Sequence, residues 1–408
     1  MKAPNERIMG PEAMIDLSVE FLGIQLENPF ILSAAPSTDD LEMTRAGLDA
    51  GWAGAILKTT SVEETTVSLA YPMMSGMNWA GKRMVGMGNI DLISEFHIDE
   101  IEKRITILKN EFPEKLIAAS IMGTKKEDWQ SLVRRLKDAG VDLIECSFSC
   151  PQGSMGERPG AMLAQSAAAT EKVTGWVKEA AQDLPVLIKI TPQVADVVEI
   201  ARAVKNGGAD GITASNSVPA LMGIDIDSFV PIPQLGSLST YSGLTGPTIK
   251  PLTLRTVAEI ARHVDIPISG NGGVSNWHDS VELLAVGARN IQICTAVMHY
   301  GFRVIDDLCS GLSNYLRKKE FNRVSDVFGK ALPHIADHDD LPRRTVKSRI
   351  DETLCIGCGV CHVACRDGGH MAISMEGRNP VVDDEKCVGC GLCPLVCPVE
   401  GCIRMEEV

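Results

Sequence analysis

Between residues 30 and 297 the chain repeats one pattern: a short apolar or β-branched run, then a longer stretch whose apolar positions recur at helical spacing. Such alternation is the sequence form of βα units wound around a parallel sheet, whose strands are covered on both faces and read as near-continuous hydrophobic runs. The runs that qualify as strands are FILSAAP from Phe30, GAILKT from Gly54, LIAASIM from Leu116, DLIECSFSC from Asp142, VLIKITP from Val186, GITASNS from Gly211, IPISGNGG from Ile266 and NIQICTAV from Asn290. Eight such strands predict an α/β fold of (β/α)8 type, a TIM barrel. A doubly wound sheet is the alternative, but it would normally carry a G-x-G-x-x-G after its first strand, and none occurs there.

Several of these runs end in polar or small residues, among them Ser37, Lys58, Cys150, Thr191, Asn216, Gly272 and Thr295. Barrel chemistry is built at the C-terminal ends of strands, so these positions are expected to converge. Sustained periodicity fades within residues 321–350, which are rich in His, Asp and Arg. The expected organisation is a barrel domain over 1–333, a linker over 334–349 and a small C-terminal domain over 350–408.

Composition narrows the class. The chain has 408 residues, a net charge of -14 and only 4% aromatic residues, with no stretch resembling a membrane span. An acidic surface repels nucleic acid and anionic membrane alike, so neither is an expected partner. The N-terminal MKAPNERIMGPEAMIDL contains no apolar run that could act as a signal peptide, which points to a cytoplasmic, reducing setting.

The cysteines carry the strongest chemical signal. Cys355, Cys358, Cys361 and Cys365, then Cys387, Cys390, Cys393 and Cys397, each run C-x2-C-x2-C-x3-C, the ligand spacing of a bacterial-type ferredoxin with two [4Fe-4S] clusters. A cubane takes three thiolates from a tight loop and a fourth from a distant segment. Cys355, Cys358 and Cys361 are therefore expected to share one cluster with Cys397, and Cys387, Cys390 and Cys393 the other with Cys365. Structural zinc favours two separated pairs of ligands, and disulfides need an oxidising compartment, so neither alternative suits the doubled motif. Pro398 follows the second run as the pattern expects, whereas Arg366 follows the first.

Electrons arriving singly at iron-sulfur clusters need a converter to hydride chemistry, and a flavin is the usual one. Gly270, Gly272 and Gly273 after the seventh strand, with Thr295 after the eighth, occupy the usual barrel phosphate site, consistent with FMN; an ordinary turn is the alternative for the glycines. Lys58 and Lys189 end the second and fifth strands, where a cation would stabilise an anionic reduced flavin or simply pair with a carboxylate. Cys150 ends the fourth strand before a glycine-containing loop, and a thiol near its ordinary pKa of ~8.5 can both give and take a proton. Cys146, Cys294 and Cys309 suit simple packing.

The stretches NPFILSAAPST, GNIDLISE, SFSCPQG, IKITP, NSVPALMG and YSGLTG, together with the doubled cluster motif, resemble the dihydropyrimidine dehydrogenases, on a barrel like that of dihydroorotate dehydrogenase. The resemblance runs from about Ile15 to the end and is closest to the bacterial chain that carries FMN and two clusters. It implies a flavin exchanging hydride with C6 of a 5,6-dihydropyrimidine such as dihydrouracil or dihydrothymine, while Cys150 handles the C5 proton. It further implies that Asn89, Asp91, Ser147, Asn216 and Ser217 contact the substrate, a small cyclic amide. Ala34, Lys58, Lys189, Gly246, Gly272, Gly273, Cys294 and Thr295 would contact FMN. An FAD-containing flavoprotein that handles NAD(P) is the implied partner, and an oligomer is expected; the chain itself has no nicotinamide fingerprint.

The chain also departs from the family. Ser147 stands where these proteins usually have Asn, Asp91 where they have Glu, Gln152 where animal enzymes have His, and Ser154 is an extra residue in the loop. A carboxamide presents donor and acceptor together to an amide edge, and a hydroxyl does this less well. The same chemistry on another activated C=C bond, or on dihydroorotate, therefore stays open beside the pyrimidine reading. An electron-transfer scaffold with an idle barrel is a further alternative, against which the intact Cys150, Lys58 and Asn216 argue.

Overall fold

A computed structural model describes residues 15–62, 69–78, 84–149 and 162–408. The chain divides into two compact units, Met1–His334 and Ile335–Val408.

In the first unit, β1 (Phe30–Leu32), β2 (Gly54–Thr60), β3 (Leu116–Ile121), β4 (Leu143–Ser147), β5 (Val186–Lys189), β6 (Gly211–Ala214), β7 (Ile268–Asn271) and β8 (Asn290–Ile293) form a closed parallel barrel in chain order. These are the eight runs singled out in the sequence. Seven of the eight observed strands are shorter than their runs, chiefly because residues at the C-terminal ends leave the ladder and enter the mouth, while β2 continues one residue beyond its run, to Thr60. Every residue of all eight strands is buried, as barrel closure under a helical layer requires. The covering helices show the complementary pattern: in Val197–Asn206 the buried positions are Val197, Ile200, Ala201, Ala203 and Val204, a single stripe, and the Asp196 carboxylate caps the first turn by accepting from the Val198 and Glu199 amides.

Two excursions leave the mouth. One follows β2 and supplies strands Met74–Asn78 and Met84–Asn89; the other follows β6 and supplies Val218–Ala220 and Ser242–Thr245. They join as a four-stranded antiparallel sheet in which Asn89 lies opposite Gly243 and Met87 opposite Thr245. Loops separated by more than a hundred residues are thus held together above the barrel.

The second unit contains two antiparallel strand pairs, Val346–Ile350 with Ile403–Glu407 and Ile373–Glu376 with Asn379–Val382. Its helices Val360–Gly368 and Leu392–Val396 pack against each other, and each begins within a cysteine run. Among the described residues no helix is long and apolar enough to cross a membrane.

Close strand approach makes one testable demand on the barrel. A Cβ built at Gly54, the first residue of β2, would lie 2.4 Å from Leu116 Cβ and 2.5 Å from the Leu116 carbonyl oxygen. Neither atom can yield without separating β2 from β3, and overpacking of this kind costs about 1–3 kcal/mol. Gly54→Ala is expected to lower the urea midpoint of the barrel, followed by far-UV circular dichroism, with an unchanged slope. An unshifted midpoint would mean the strands can part at no cost.

Candidate active site

The floor of the barrel mouth is polar and closed by hydrogen bonds. Glu145 of β4 is wholly buried, and its Oε2 accepts from Thr213 Oγ1 of β6 at 2.8 Å and from Gln292 Nε2 of β8 at 2.9 Å. Gln292 Nε2 also reaches Ser269 Oγ of β7 at 3.1 Å, while its Oε1 accepts from Ser33 Oγ, just past β1, at 3.3 Å. Lys189, at the end of β5 and 4% exposed, donates to Ser33 Oγ at 3.2 Å and pairs with Glu145 Oε1 at 3.4 Å. Alternation along the strands turns these residues inward, and Cys146, between Glu145 and Ser147, packs into the core. Burial and the adjacent Glu145 charge push the Cys146 thiol up, in keeping with the packing role expected of it.

Above this floor lies a cavity of about 460 Å³ lined by Ala34, Lys189, Gly246, Gly272, Gly273, Cys294 and Thr295, among others. The amides of Gly272 and Gly273 have no acceptor among the described residues, which suits an anion. The glycines also answer a packing demand. Gly273 has φ +82°, and a Cβ there would sit 2.6 Å from the backbone of Lys250, so the chain crosses the start of helix Lys250–His263 too closely for any side chain. Burial raises the Cys294 thiol above its ordinary pKa, with Lys189 opposing, so it lines the cavity as a neutral SH.

The adjoining cleft, of about 1530 Å³ and open to solvent, shares Ala34, Lys189, Asn216, Ser217, Thr245 and Cys294 with that cavity. It adds Lys58, Asn89, Asp91 and Ser147. Every described residue expected to contact substrate or FMN therefore lines one of two connected spaces, whereas Ser37, Thr191 and Gly270, also expected at the mouth, line neither. The four-stranded sheet holds Asn89, whose Nδ2 donates to the Gly243 carbonyl at 2.9 Å, and across the mouth Asn216 Nδ2, past β6, donates to Ser149 Oγ, past β4, at 2.7 Å.

Two expected roles meet in one ion pair. Lys58 Nζ is 3.0 Å from Asp91 Oδ1 and 3.5 Å from Asp39 Oδ2, and both Lys58 and Asp91 are nearly buried. Burial raises the Asp91 carboxyl above its ordinary pKa, and the Lys58 ammonium opposes that rise. Asp91, expected at the substrate, is thus also the counter-ion of Lys58, expected at the flavin. Cys150, with Gln152 and Ser154, lies outside the described residues; Ser149, the last described residue before it, lines the cleft. Sequence reasoning missed Glu145, Gln292, Asp39 and Ser149. An acid inside an otherwise apolar strand was the available signal for Glu145.

In the second unit Cys355, Cys358, Cys361 and Cys397 line one cavity of about 330 Å³, together with Cys402. The Gly357 amide donates to Cys355 Sγ at 3.4 Å and the Ala372 amide to Cys365 Sγ at 3.3 Å. Ser348 Oγ lies 3.2 Å from Cys393 Sγ. Cys365 is on helix Val360–Gly368, packed against the helix that carries Cys393. The donor set is all thiolate, convergent and supplied with amide donors, and it fits iron-sulfur ligation. Gly389, between Cys387 and Cys390, has φ +72° and would place a Cβ 2.2 Å from the Val346 carbonyl oxygen.

Comparison with known proteins agrees with both units. Residues 16–316 match the dihydroorotate dehydrogenase family and residues 348–405 the 4Fe-4S dicluster domain family. The chain is 39% identical over 399 residues to the NAD-dependent dihydropyrimidine dehydrogenase subunit PreA of Escherichia coli, covering 96% of each. It is 32% identical to the chloroplastic dihydropyrimidine dehydrogenase (NADP+) of Arabidopsis thaliana over 82% of this chain and 81% of that one. It is also 33% identical to the catalytic subunit of dihydroorotate dehydrogenase B (NAD+) of Pyrococcus horikoshii, over 78% of this chain and 98% of that one.

The Lys58 pair gives this site a stability signature. Removing one partner of a buried ion pair typically costs ~3–5 kcal/mol, and here Asp39 remains to hold Lys58, so Asp91→Ala is expected to cost about 2–3 kcal/mol. Asp39→Ala, which removes the more distant partner, should cost less. Denaturant titration of both variants checks the order; because Asp39 also accepts from Ser94 Oγ, a reversed order that persists in a Ser94→Ala background would show that Asp39 is the principal counter-ion.

Proposed function

The chain belongs to the dihydroorotate dehydrogenase family and ends in a 4Fe-4S dicluster domain, and on that footing we propose that it interconverts a neutral pyrimidine base and its 5,6-dihydro form. Its overall similarity to dihydropyrimidine dehydrogenase subunits places it among the flavin and iron-sulfur oxidoreductases acting on CH-CH groups. When bound, FMN would supply hydride exchange at C6 of the ring, and the clusters would carry single electrons. Gly246, Gly272, Gly273 and Thr295 would hold the FMN phosphate, and Ala34, Lys58, Lys189 and Cys294 would line the flavin's place. Cys355, Cys358, Cys361 and Cys397 would ligate one [4Fe-4S] cluster, and Cys387, Cys390, Cys393 and Cys365 the second.

The remaining chemistry belongs to the side chains. Asn89, Asn216, Ser147 and Ser217, which line the cleft, would present donors and acceptors to a ring amide edge. The Cys150 thiol gives a proton to C5 in reduction and takes it back in oxidation. Electrons would reach the clusters from a partner flavoprotein that holds FAD and oxidises a nicotinamide cofactor.

The observation that carries the pyrimidine reading over dihydroorotate is charge. Among the described residues the cleft's cations are already matched, Lys58 by Asp91 and Asp39, and Lys189 by Glu145. A substrate carboxylate would therefore find no uncompensated cation there, whereas a neutral ring needs none. Ser147 favours a second reading, another neutral cyclic amide with an activated C=C bond, because a hydroxyl recognises the uracil edge less fully than a carboxamide.

Anaerobic addition of dihydrouracil, dihydrothymine and dihydroorotate to the purified protein tests the proposal. Bleaching of the flavin band by a neutral dihydropyrimidine and not by dihydroorotate is expected; bleaching by dihydroorotate alone would overturn the charge argument. A flavin reducible by dithionite but untouched by all three would favour the second reading. For Cys150→Ala, turnover should fall by ~10²-fold or more while substrate still binds, and unchanged turnover would remove the thiol from the proton path.

A further inference from the structure

Glu145 lines neither cavity, yet it is the carboxylate behind the ammonium that does. It is wholly buried, its Oε2 is held by two donors from β6 and β8, and its Oε1 faces Lys189. Lys189 has two acceptors among the described residues, Ser33 and Glu145, which leaves one of its three N–H donors for whatever occupies the cavities. Thr213, Gln292 and Ser33 contribute neutral groups only, so the charge under the cavity is one cation and one anion in series.

We infer that Glu145 is a positioning and charge-setting residue for the flavin: it fixes where the Lys189 ammonium stands and offsets part of its field, which holds the flavin reduction potential down. This rests on the FMN reading above. Two-electron reduction of a bound flavin with uptake of one proton from water leaves negative charge on the ring. A cation below favours that product, and a carboxylate immediately behind the cation opposes it. In a buried, hydrogen-bonded site this opposition is only weakly screened by salt. The potential in turn sets how readily electrons pass between the flavin and the clusters, so a residue touching neither cofactor nor substrate would tune the direction of electron flow.

The test is an anaerobic redox titration of the complete protein with mediators, following the flavin band in wild type, Glu145→Gln and Glu145→Asp. Gln keeps the shape and the hydrogen-bond acceptor facing Lys189 but removes the charge. The expected result is at least a tenfold shift of the oxidised-to-reduced equilibrium toward reduced flavin, about 30 mV for a two-electron couple, with FMN retained. Glu145→Asp keeps the charge and should stay within threefold of wild type. A Gln variant that loses stability or FMN occupancy but keeps the wild-type potential would make Glu145 a purely structural residue and overturn the inference, as would a downward shift. If the Gln variant is insoluble, Thr213→Val serves instead. It leaves both charges but removes one donor from the carboxylate, and it should move the potential down; no movement, or a rise, overturns the inference. Wild-type protein from which heat releases no FMN would instead refute the flavin reading itself.

Discussion

The barrel closes around a buried ion pair, and the polar network that holds it draws on six of the eight strands or their ends. A lysine and a glutamate in a barrel interior cost several kcal/mol each to desolvate unless the geometry is good and the remaining lone pairs are filled. Here Thr213 and Gln292 donate to Glu145, Ser33 accepts from Lys189, and Ser269 in turn accepts from Gln292, each from a different strand or strand end. Any change of strand register would turn one of these side chains outward and leave a buried polar group unpaired. The polar floor thus works as a lock on barrel closure as well as the base of the site. Apolar packing, from Leu187 on the inward face and from Ile144 and Ile291 on the face turned to the helices, supplies bulk burial without comparable selectivity for register.

The mouth repeats the logic with a different device. Excursions after β2 and β6 could not hold substrate groups precisely as free loops, because loop backbone is mobile unless its hydrogen bonds are made. Pairing them into an antiparallel sheet spends their backbone donors and acceptors on each other and brings Asn89 to Gly243, while Asn216, past β6, is held separately by Ser149, past β4. Lys58 is held from both sides by Asp39 and Asp91, just as Lys189 is held from below. The cleft that results is rich in directed dipoles and, among the described residues, its cations are paired, which under the proposed function would favour a neutral amide over an anion.

Much of this was legible in the chain, for physical reasons that also set the limit. The eight strands were readable because doubly covered strands must be apolar throughout, and the 4Fe-4S dicluster domain because a cubane imposes its spacing on the loop that wraps it. Residues at strand ends were readable because a barrel has one functional face. The partners of those residues were not. Strand alternation says that Glu145 points inward, but its contact with Gln292 spans 147 positions and depends on barrel closure. The pairing of Asp91 with Lys58 likewise needs the excursion sheet to fold back over β2, and Asp91 read alone had only its family role to suggest. Short strands such as Val218–Ala220 carry too few residues for periodicity to register.

Cys402 shows the same limit in the second unit. It stands outside both C-x2-C-x2-C-x3-C runs, so spacing assigns it nothing, yet it is buried and shares a cavity with the four thiols of one run-and-partner set. Its Sγ lies 3.7 Å from the Asp351 carbonyl oxygen, a weak donor contact that aims the thiol hydrogen at the backbone. A fifth thiol beside four ligands would compete for iron if it were free to turn, and that backbone acceptor gives it a reason not to. Under the proposed ligation the set would therefore be selected twice, once by the tight glycine-containing loop that presents three cysteines and once by the contact that occupies the thiol next to them.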